Sequence, residues 1–484
     1  MAWDPALEVA FHPRVVAMVG VSADTKRSGP RPGGGSSFIS SYEQLGFQGR
    51  IYPVNPKTTK ILGRKAYPNV SSIPEPVDLV VISVPAPAVP EVLEDCITAN
   101  ARNIHIYTSG FEETGEEAAK ELGRRVRQIA LRGGLRLIGP NCMGLYVPKT
   151  GIGSFAQLSR ESGPVAFVSQ SGGHCNWFCH YAANYGIYFS KVISFGNAYI
   201  LDSTDFLEYL AVDPDTGIIC MYLEGVKDGS KLFRQVKEIN RVKPVILWKA
   251  GLTESGSRAV ASHTASLAGK EAIWRGFFAQ TGAVPVLSLE EMAEMTMTFL
   301  YVKPPRGKRV AVLGSGGGSS VASADVCSRE GLEVPALTQE TQAELRKFIS
   351  PAGTSIKNPL DTGLIFRDVS LLEREIALVA ADPLIDMLIV RPHLDMAHSI
   401  GPDQVDRLVN YLRDFSRDNP HGKPMVLSFN SWANDPWEAE LRARLQVELP
   451  QKGVPVYSSL DSASRALAKL FEYHRFQKEA TENQ

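Results

Sequence analysis

The stretch VAFVSQSGG, residues 165–173, decides the fold expected for this chain. Its apolar half predicts a short buried strand, and the serines and glycines that follow predict a tight turn into a helix. Strands that lead into helices in this way are typical of parallel α/β sheets. The same design returns in VAVLGSGGG, residues 310–318, so we expect two adjacent domains to share one strand-to-helix device.

Outward from these turns, Val- and Ile-rich runs alternate with helical segments along nearly the whole chain, which predicts an α/β protein. The predicted strands of the first third are 15–20, 50–54, 78–84, 104–109 and 135–139. Those that follow are 165–169, 188–195, 216–225, 244–251, 283–287, 309–314, 386–390, 424–429 and 454–459. We predict three domains, over residues 1–150, 151–303 and 304–484.

Length and charge narrow the classes of protein that the chain can represent. Its 484 residues suit two or three domains. With 51 Lys and Arg against 52 Asp and Glu, the balance gives no support for nucleic-acid or membrane-surface binding. The first residues lack the basic segment of a secretory signal, and six cysteines are too sparse for a disulfide framework. We therefore expect a cytoplasmic enzyme or binding protein.

The two glycine-rich turns are candidate anion sites, because they expose backbone N–H groups at the positive end of a helix. Neither turn has the spacing of a P-loop. Taken alone, each is explained equally well by backbone geometry. Two such turns in neighbouring domains favour a phosphate held between them.

His263 and Glu224 are the candidate reactive residues. We expect His263 to lie in a loop between the strand at 244–249 and a helix that begins near Ala268. A neutral imidazole can carry a phosphoryl group, although a solvated loop histidine is the commoner case. Glu224 ends a predicted strand, where a carboxylate could orient an imidazole; an exposed loop acid is the alternative.

Other histidines and cysteines carry weaker signals. The segment HCNWFCH, residues 174–180, is too compressed for four ligands to surround one metal ion, so we expect Cys175 and Cys179 on the buried face of a helix. His393 and His398, with Arg391, follow the strand at 386–390 and suit either a ligand edge or a polar loop. No metal site is predicted.

These motifs in this order resemble the NDP-forming acyl-CoA synthetases, the superfamily of succinyl-CoA synthetase and ADP-forming acetyl-CoA synthetase. The matching stretches are YPVNPK (52–57), VDLVVISVPAPAVPEV (77–92), TSGFEETG (108–115), GPNCMGL (139–145), SQSGG (169–173), SFGNA (194–198), SHTASLAG (262–269) and KNPLDTG (357–363). The resemblance is to the α-subunit arrangement. It implies an N-terminal Rossmann-like CoA-binding domain followed by two flavodoxin-like ligase domains.

The resemblance also implies roles for individual residues. His263 would be the phosphorylated histidine, and Glu224 the carboxylate that stabilises it. The phosphate would be held by the two turns and by a nearby asparagine, which are Ser171, Gly172, Gly173, Gly316, Gly317, Gly318 and Asn197. The residues that would line CoA are Gly20, Ser22, Lys57, Val84, Pro85, Ser109, Gly110, Asn141 and Met143.

The implied reaction has three transfers. Phosphate attacks an acyl-CoA and releases CoA, His263 takes the phosphoryl group and releases the carboxylic acid, and the phosphohistidine passes it to ADP. No ATP-grasp domain is found in the sequence, so ADP or ATP and Mg²⁺ would bind to a separate β subunit. The acyl group is not predicted.

The chain departs from the family in a few places, and two other functions stay open. Ala265 stands where the family has glycine, and the insertion at 22–37 is a flexible loop or a further contact to CoA. The alternatives are a CoA- or acyl-CoA-binding regulatory protein and, more weakly, an NAD(P)-dependent enzyme. The second lacks the full glycine fingerprint and the acidic residue after the second strand.

Overall fold

The computed structural model describes residues 4–21, 35–154, 157–264, 270–314, 316–362, 368–392, 394, 401–429 and 435–482. Ser22, Ala265, His393, His398 and most of the 22–37 insertion lie outside the described residues, as does the side chain of His263. The chain divides into two compact units, one of residues 1–183 and 188–292 and the other of residues 184–187 and 293–484.

The first unit begins with a parallel sheet. Its elements in chain order are α1 (Ala6–Phe11), β1 (Val15–Val19), α2 (Gly35–Leu45), β2 (Arg50–Val54), β3 (Lys60–Ile61), β4 (Arg64–Lys65), β5 (Leu79–Ile82), α3 (Val89–Thr98), β6 (Asn103–Ile106), α4 (Glu117–Gly133) and β7 (Arg136–Ile138). The strands lie in the order β2-β1-β5-β6-β7, and β3 and β4 form a separate antiparallel pair.

A second sheet completes the first unit. Its elements are β8 (Gly144–Val147), β9 (Ile152–Gly153), β10 (Ser162–Ser169), α5 (Gly172–Ala183), β11 (Phe189–Ser194), α6 (Ser203–Val212), β12 (Ile218–Leu223), α7 (Gly229–Ile239), β13 (Val245–Lys249), α8 (Glu254–Thr264), α9 (Glu271–Thr281), β14 (Val284–Pro285) and α10 (Leu289–Tyr301), the last of which continues into the second unit. The strand order is β14-β13-β12-β10-β11-β8-β9, with β8 and β9 antiparallel to their neighbours.

The second unit contains a third parallel sheet, in the order β15-β16-β17-β18. Its elements are β15 (Val310–Leu313), α11 (Gly317–Arg329), α12 (Gln339–Arg346), α13 (Val369–Ala381), β16 (Met387–Val390), α14 (Pro402–Asp418), β17 (Met425–Ser428), α15 (Pro436–Gln451), β18 (Val456–Tyr457) and α16 (Leu460–Glu482).

Burial explains why the short apolar runs became strands. Every residue of β1, β5, β12, β15 and β16 is buried, as expected where helices cover both faces of a parallel sheet. The predicted α/β class with parallel sheets is therefore confirmed. The domain boundaries after residues 150 and 303 stay predictions.

One local prediction was wrong. Residues 254–264 form α8 and are not a loop. Glu254 lies in the first turn of this helix, where a carboxylate favours the helix dipole, and its Oε1 accepts from Arg258 one turn later at 2.8 Å. Small and hydroxyl residues suggested a loop because they lack an extended apolar face. The exposed ion pair adds only about 0.3–0.5 kcal/mol to the helix, and Val260 is buried against the rest of the unit.

The order of the strands creates a crevice in each sheet of the first unit. The chain leaves β1 toward β2 on one side and returns to β5 on the other, and it does the same around β10 with β11 and β12. At such a reversal the loops after the two central strands diverge, which leaves a crevice at their carboxyl ends where ligands bind. The residues that follow β1, β5, β10 and β12 are therefore placed for binding.

Within the described residues, no helix is both long and apolar enough to cross a bilayer.

A buried acid in the second unit predicts a dependence of stability on pH. Glu375 on α13 is fully buried and accepts a 2.6 Å hydrogen bond from Thr362, and burial raises the pKa of Glu375 to about 8. The unfolded chain releases this proton near pH 4.5 and the folded chain near pH 8, so this group's stabilisation is lost as the pH rises through that window. We expect Glu375→Gln to reduce this pH-dependent fall in the free energy of unfolding by about 1–3 kcal/mol.

Thermal unfolding of the full chain between pH 5 and 9 measures this effect. Glu440→Gln, at an exposed position on α15, is the matched control and should follow the wild type. Parallel wild-type and Glu375→Gln curves across this range would contradict the prediction.

Candidate active site

The residues predicted to line CoA follow the strands of the first sheet at one edge. Gly20 follows β1, Lys57 follows β2, Val84 and Pro85 follow β5, Ser109 and Gly110 follow β6, and Asn141 and Met143 follow β7. Because all of these strands are parallel, the loops after them lie together at the carboxyl edge of the sheet.

The turn after β10 begins α5 with hydrogen bonds that the sequence supplies locally. Ser171 Oγ accepts from the N–H of His174 at 3.2 Å, and the N–H of Ser171 donates to Ser169 Oγ at 3.0 Å. A methyl group on Gly172 would lie 2.5 Å from Cγ of Met143, so only glycine lets this turn approach the loop after β7 so closely. The predicted phosphate turn and one predicted CoA residue are therefore in contact.

Asn197 joins the same cluster through its amide. Its Nδ2 donates to Glu113 Oε2 at 2.7 Å, and its Oδ1 accepts from Asn141 Nδ2 at 3.3 Å. Glu113 Oε1 in turn accepts from the N–H groups of Gly110 and Phe111 at 2.7 and 3.1 Å. A single carboxylate thus ties the loop after β6 to the loop after β11.

These loops line an open cavity of about 260 Å³. It is lined by Tyr107, Ser109, Asn141, Cys142, Met143, Gln170, Ser171, Gly172, Gly173, Gly196 and Asn197. Seven residues predicted from sequence meet here: Ser109, Asn141, Met143, Ser171, Gly172, Gly173 and Asn197. Hydroxyl and amide groups converge on one space next to the start of α5, which suits an anion that also contacts the CoA-side loops.

Glu224 lies directly after β12 and is 4% exposed, so the alternative of an exposed loop acid is excluded. Tyr222 donates its hydroxyl to Glu224 Oε1 at 3.2 Å, and burial next to Glu224 raises the pKa of Tyr222, which keeps that donor protonated. Two further side chains hold the backbone of Glu224. Gln170 Oε1 accepts from its N–H, and Lys249 Nζ donates to its carbonyl at 2.8 Å.

Lys249 is the buried cation of this cluster. Its ammonium also donates to the carbonyl of Ala250 and lies 5.4 Å from the centre of the Trp274 ring. Burial lowers the pKa of Lys249 to about 8, and the nearby charge of Glu224 opposes that shift. At neutral pH the ammonium form therefore predominates and supplies both hydrogen bonds.

The remaining candidates are His263 and the second glycine turn, which follow β13 and β15. His263 lies in α8, which follows β13. Strand β13 pairs with β12, and Glu224 is the residue after β12. The Gly316–Gly318 turn begins α11 in the second unit, where the N–H of Gly316 donates to Ser319 Oγ at 2.8 Å. A methyl group on Gly317 would lie 3.6 Å from Asp361 Oδ2, so an anion at this turn would meet a nearby carboxylate.

Several weaker candidates make packing contacts or hydrogen bonds within the fold. Cys175 and Cys179 lie on the buried face of α5, as predicted, and burial raises the pKa of both thiols. His174 packs against Tyr222 and Trp248, with ring centres 4.3 and 5.1 Å away. Arg391 donates to Ser323 Oγ at 3.2 Å.

Sequence reasoning missed Gln170, Glu113 and Lys249. Gln170 and Glu113 lie inside the quoted motifs SQSGG and TSGFEETG, yet nothing in the sequence shows which atoms they reach. Lys249 is the last residue of β13 and Glu224 follows the last residue of β12, and a charged residue at the carboxyl end of an apolar strand is the signal that marks both.

Two family profiles match consecutive parts of the chain. The CoA binding domain matches residues 14–148, and the succinyl-CoA ligase like flavodoxin domain matches residues 162–299. Together they confirm the predicted order of a CoA-binding domain followed by a succinyl-CoA synthetase-like flavodoxin domain.

Known proteins resemble the chain over almost its whole length. A solved structure described as Candidatus Korarchaeum cryptofilum dinucleotide forming acetyl-coenzyme A synthetase 1, in complex with phosphate and ADP, has a TM-score of 0.83 at 31% identity and covers 99% of this chain and 98% of its own. The α subunit of ADP-forming acetate–CoA ligase II from Pyrococcus furiosus is 34% identical over 96% of this chain and 97% of the relative. The chain belongs to the ADP-forming acyl-CoA ligase family.

Within this family the relatives differ in length. ADP-forming acetate–CoA ligase I from Archaeoglobus fulgidus is 37% identical over 79% of this chain, and the match spans only 54% of that relative. Membership of this family supports the prediction of an acid–CoA ligase.

Proposed function

We propose that this chain acts as the α subunit of an ADP-forming acyl-CoA synthetase, which interconverts acyl-CoA, ADP and phosphate with a carboxylic acid, CoA and ATP. The observation that carries the proposal is the 260 Å³ cavity where the CoA-side loops meet the Ser171–Gly173 turn. A thioester bound at the first sheet would present its carbonyl to a phosphate held at the start of α5.

The proposed chemistry proceeds in three displacements. A phosphate oxygen attacks the thioester carbonyl, the carbon–sulfur bond breaks, and CoA leaves as a thiolate. An imidazole nitrogen of His263 then attacks phosphorus, and the carboxylate leaves as the bond from its oxygen to phosphorus breaks. Glu224 holds the imidazole tautomer and stabilises its charge, and backbone N–H groups at the start of α5 stabilise the phosphoryl oxygens.

The final transfer to ADP is assigned to an ATP-grasp β subunit, since relatives of this length are named as α subunits. That subunit would bind the nucleotide with Mg²⁺. The Gly316–Gly318 turn would help to hold the phosphoryl group during this exchange. The Asp361 carboxylate near this turn would oppose a phosphoryl group there unless a bound cation such as Mg²⁺ offset its charge.

The first two steps can be tested on this chain alone. We expect incubation with radiolabelled phosphate and a panel of acyl-CoAs, among them acetyl-CoA and phenylacetyl-CoA, to release CoA and to label the protein. A phosphohistidine label is lost in acid and kept in base. All six cysteines are buried, so a thiol reagent reports released CoA with little background from the protein.

The outcome also decides between the ligase and the regulatory alternative. If CoA binds but no acyl-CoA in the panel releases thiol or labels the chain, a CoA-binding regulatory role replaces the ligase assignment.

Gly20 offers a test of the proposed CoA crevice between β1 and β5. Its φ is +92°, and a methyl group there would lie 2.8 Å from the Ser83 carbonyl carbon and 2.9 Å from the Val84 N. We expect Gly20→Ala to cost about 2–4 kcal/mol of stability, from left-handed strain and this clash, and to weaken CoA binding. Urea unfolding and calorimetric titration with CoA measure both.

Gly63 is the matched control for Gly20. Its φ is +78°, and a methyl group there would meet nothing within 4 Å. Gly63→Ala should therefore cost only about 1 kcal/mol, from strain alone, and leave CoA binding unchanged. Equal losses in the two variants would show that the approach of β1 to β5 is not what requires glycine.

A further inference from the structure

Gln170 connects the phosphate turn to Glu224. It follows the last residue of β10 and precedes Ser171, so its backbone belongs to the turn. Its N–H donates to the carbonyl of Tyr222 at 3.2 Å and extends the pairing of β10 with β12 by one bond. The backbone pairing of the two strands ends at that bond.

The side chain of Gln170 continues where the strand pairing ends. Its Oε1 accepts from the N–H of Glu224 and, at 2.8 Å, from the N–H of Gly225. Buried N–H groups need an acceptor, and past the end of β10 no strand carbonyl is supplied to these two. Both neighbours of the side-chain oxygen are donors, which fixes the orientation of the amide.

The opposite side of the same peptide is held by β13. Lys249 Nζ donates to the carbonyl of Glu224, and Tyr222 donates to its carboxylate. Gln170, Glu224 and Lys249 are 8%, 4% and 4% exposed, so water does not compete for these bonds. Gln170 also lines the 260 Å³ cavity, whereas Glu224 does not.

We infer that Gln170 is a positioning residue for Glu224: its side-chain carbonyl fixes the Glu224–Gly225 backbone to the Ser171–Gly173 turn, so that the carboxylate and the phosphate turn keep one geometry. The inference rests on the proposed function, because it acts through the role assigned to Glu224. A displacement of about 1 Å at a group that orients a nucleophile can cost up to about a hundredfold in rate.

The test is a double-mutant cycle read as the rate of phosphohistidine formation from acyl-CoA and phosphate. We expect Gln170→Met, which keeps the length but removes the acceptor, to slow labelling about tenfold or more at saturating phosphate, with the KM for phosphate little changed. In a Glu224→Gln background the same change should slow labelling no further, since the group it positions has already lost its charge.

Two other variants separate positioning from a general loss of stability. Gln170→Glu keeps an acceptor for both N–H groups but adds a negative charge beside the phosphate cavity, so it should preserve the hydrogen-exchange protection of the Glu224 and Gly225 amides without restoring the rate. Gln235→Met is the matched control. Gln235 lies on α7 and is 5% exposed, and its amide donates to Thr204 and Glu208 on α6, away from the site. It should lower the melting temperature and leave the labelling rate unchanged.

Hydrogen exchange gives a readout that does not depend on activity. The amides of Glu224 and Gly225 should lose protection in Gln170→Met and keep it in Gln235→Met. Unchanged protection would overturn the inference, and so would additive effects in the cycle or a rise confined to the KM for phosphate, which would make Gln170 a phosphate contact. Failure of the proposed function looks different, because then the wild type takes no label or Glu224→Gln labels at the wild-type rate.

Discussion

His263→Asn is expected to abolish phosphoryl labelling of the chain, by at least about a hundredfold at every acyl-CoA concentration. Asparagine keeps a polar side chain of similar size at the end of α8 but has no nucleophilic nitrogen. Its helix propensity is close to that of histidine, so the fold should not change. CoA release in the first displacement should continue only until acyl phosphate accumulates, because no group remains to take the phosphoryl group.

The matched control for this change is His180→Asn. His180 is an exposed histidine in the last turn of α5, in the same unit as His263. It should label at the wild-type rate, as measured by rapid quench and base-stable label. Label that persists in His263→Asn would assign the phosphoryl group to another residue.

Glu224→Gln should produce the second largest loss in the rate of phosphoryl labelling. Glutamine keeps the volume and an oxygen that can accept from Tyr222, but it removes the negative charge that would stabilise a positively charged imidazole. Loss of an orienting carboxylate in comparable imidazole pairs costs about 10²- to 10⁴-fold in rate. We expect labelling to slow by at least the lower figure and the phosphohistidine, once formed, to decay faster.

Glu238→Gln is the control for charge alone. Glu238 lies on α7 with its side chain 56% exposed and pairs with Arg241, so its removal changes the net charge by the same amount. Its labelling rate should match that of the wild type. If both variants are equally slow, the effect comes from the overall charge, and Glu224 has no specific role.

The sequence predicted the scaffold well because each part of that prediction depends on neighbouring residues. Continuous apolar runs such as 15–19 and 218–223 form buried strands as predicted, and the serine and glycines at 171–173 begin a helix as expected. The wrong prediction at residues 254–264 has the same cause, because a prediction from neighbouring residues needs a local pattern. Small residues carry little periodic pattern, so the sequence did not reveal that residues 254–264 form a helix with Val260 buried.

The site was predicted only in part, because its contacts join distant segments. Glu113 and Asn197 are 84 residues apart, and Gln170 and Glu224 are 54 apart. Gln170 and Glu224 meet because β10 and β12 are neighbouring parallel strands that end at one edge, whereas Glu113 and Asn197 follow strands of two different sheets. Which side chain reaches which N–H group depends on strand order and register, and these are set by packing.

The stretch VAFVSQSGG separates what the sequence determined from what the tertiary structure decided. By itself the sequence determined a buried strand, a turn and the start of a helix, since apolar burial, serine capping and glycine act over a few residues. Only the tertiary structure decided that Gln170, in the middle of that stretch, holds the Glu224 backbone from the adjacent strand. The reason is physical: a buried N–H group takes whichever acceptor the fold brings within reach, and that acceptor is chosen by three-dimensional proximity.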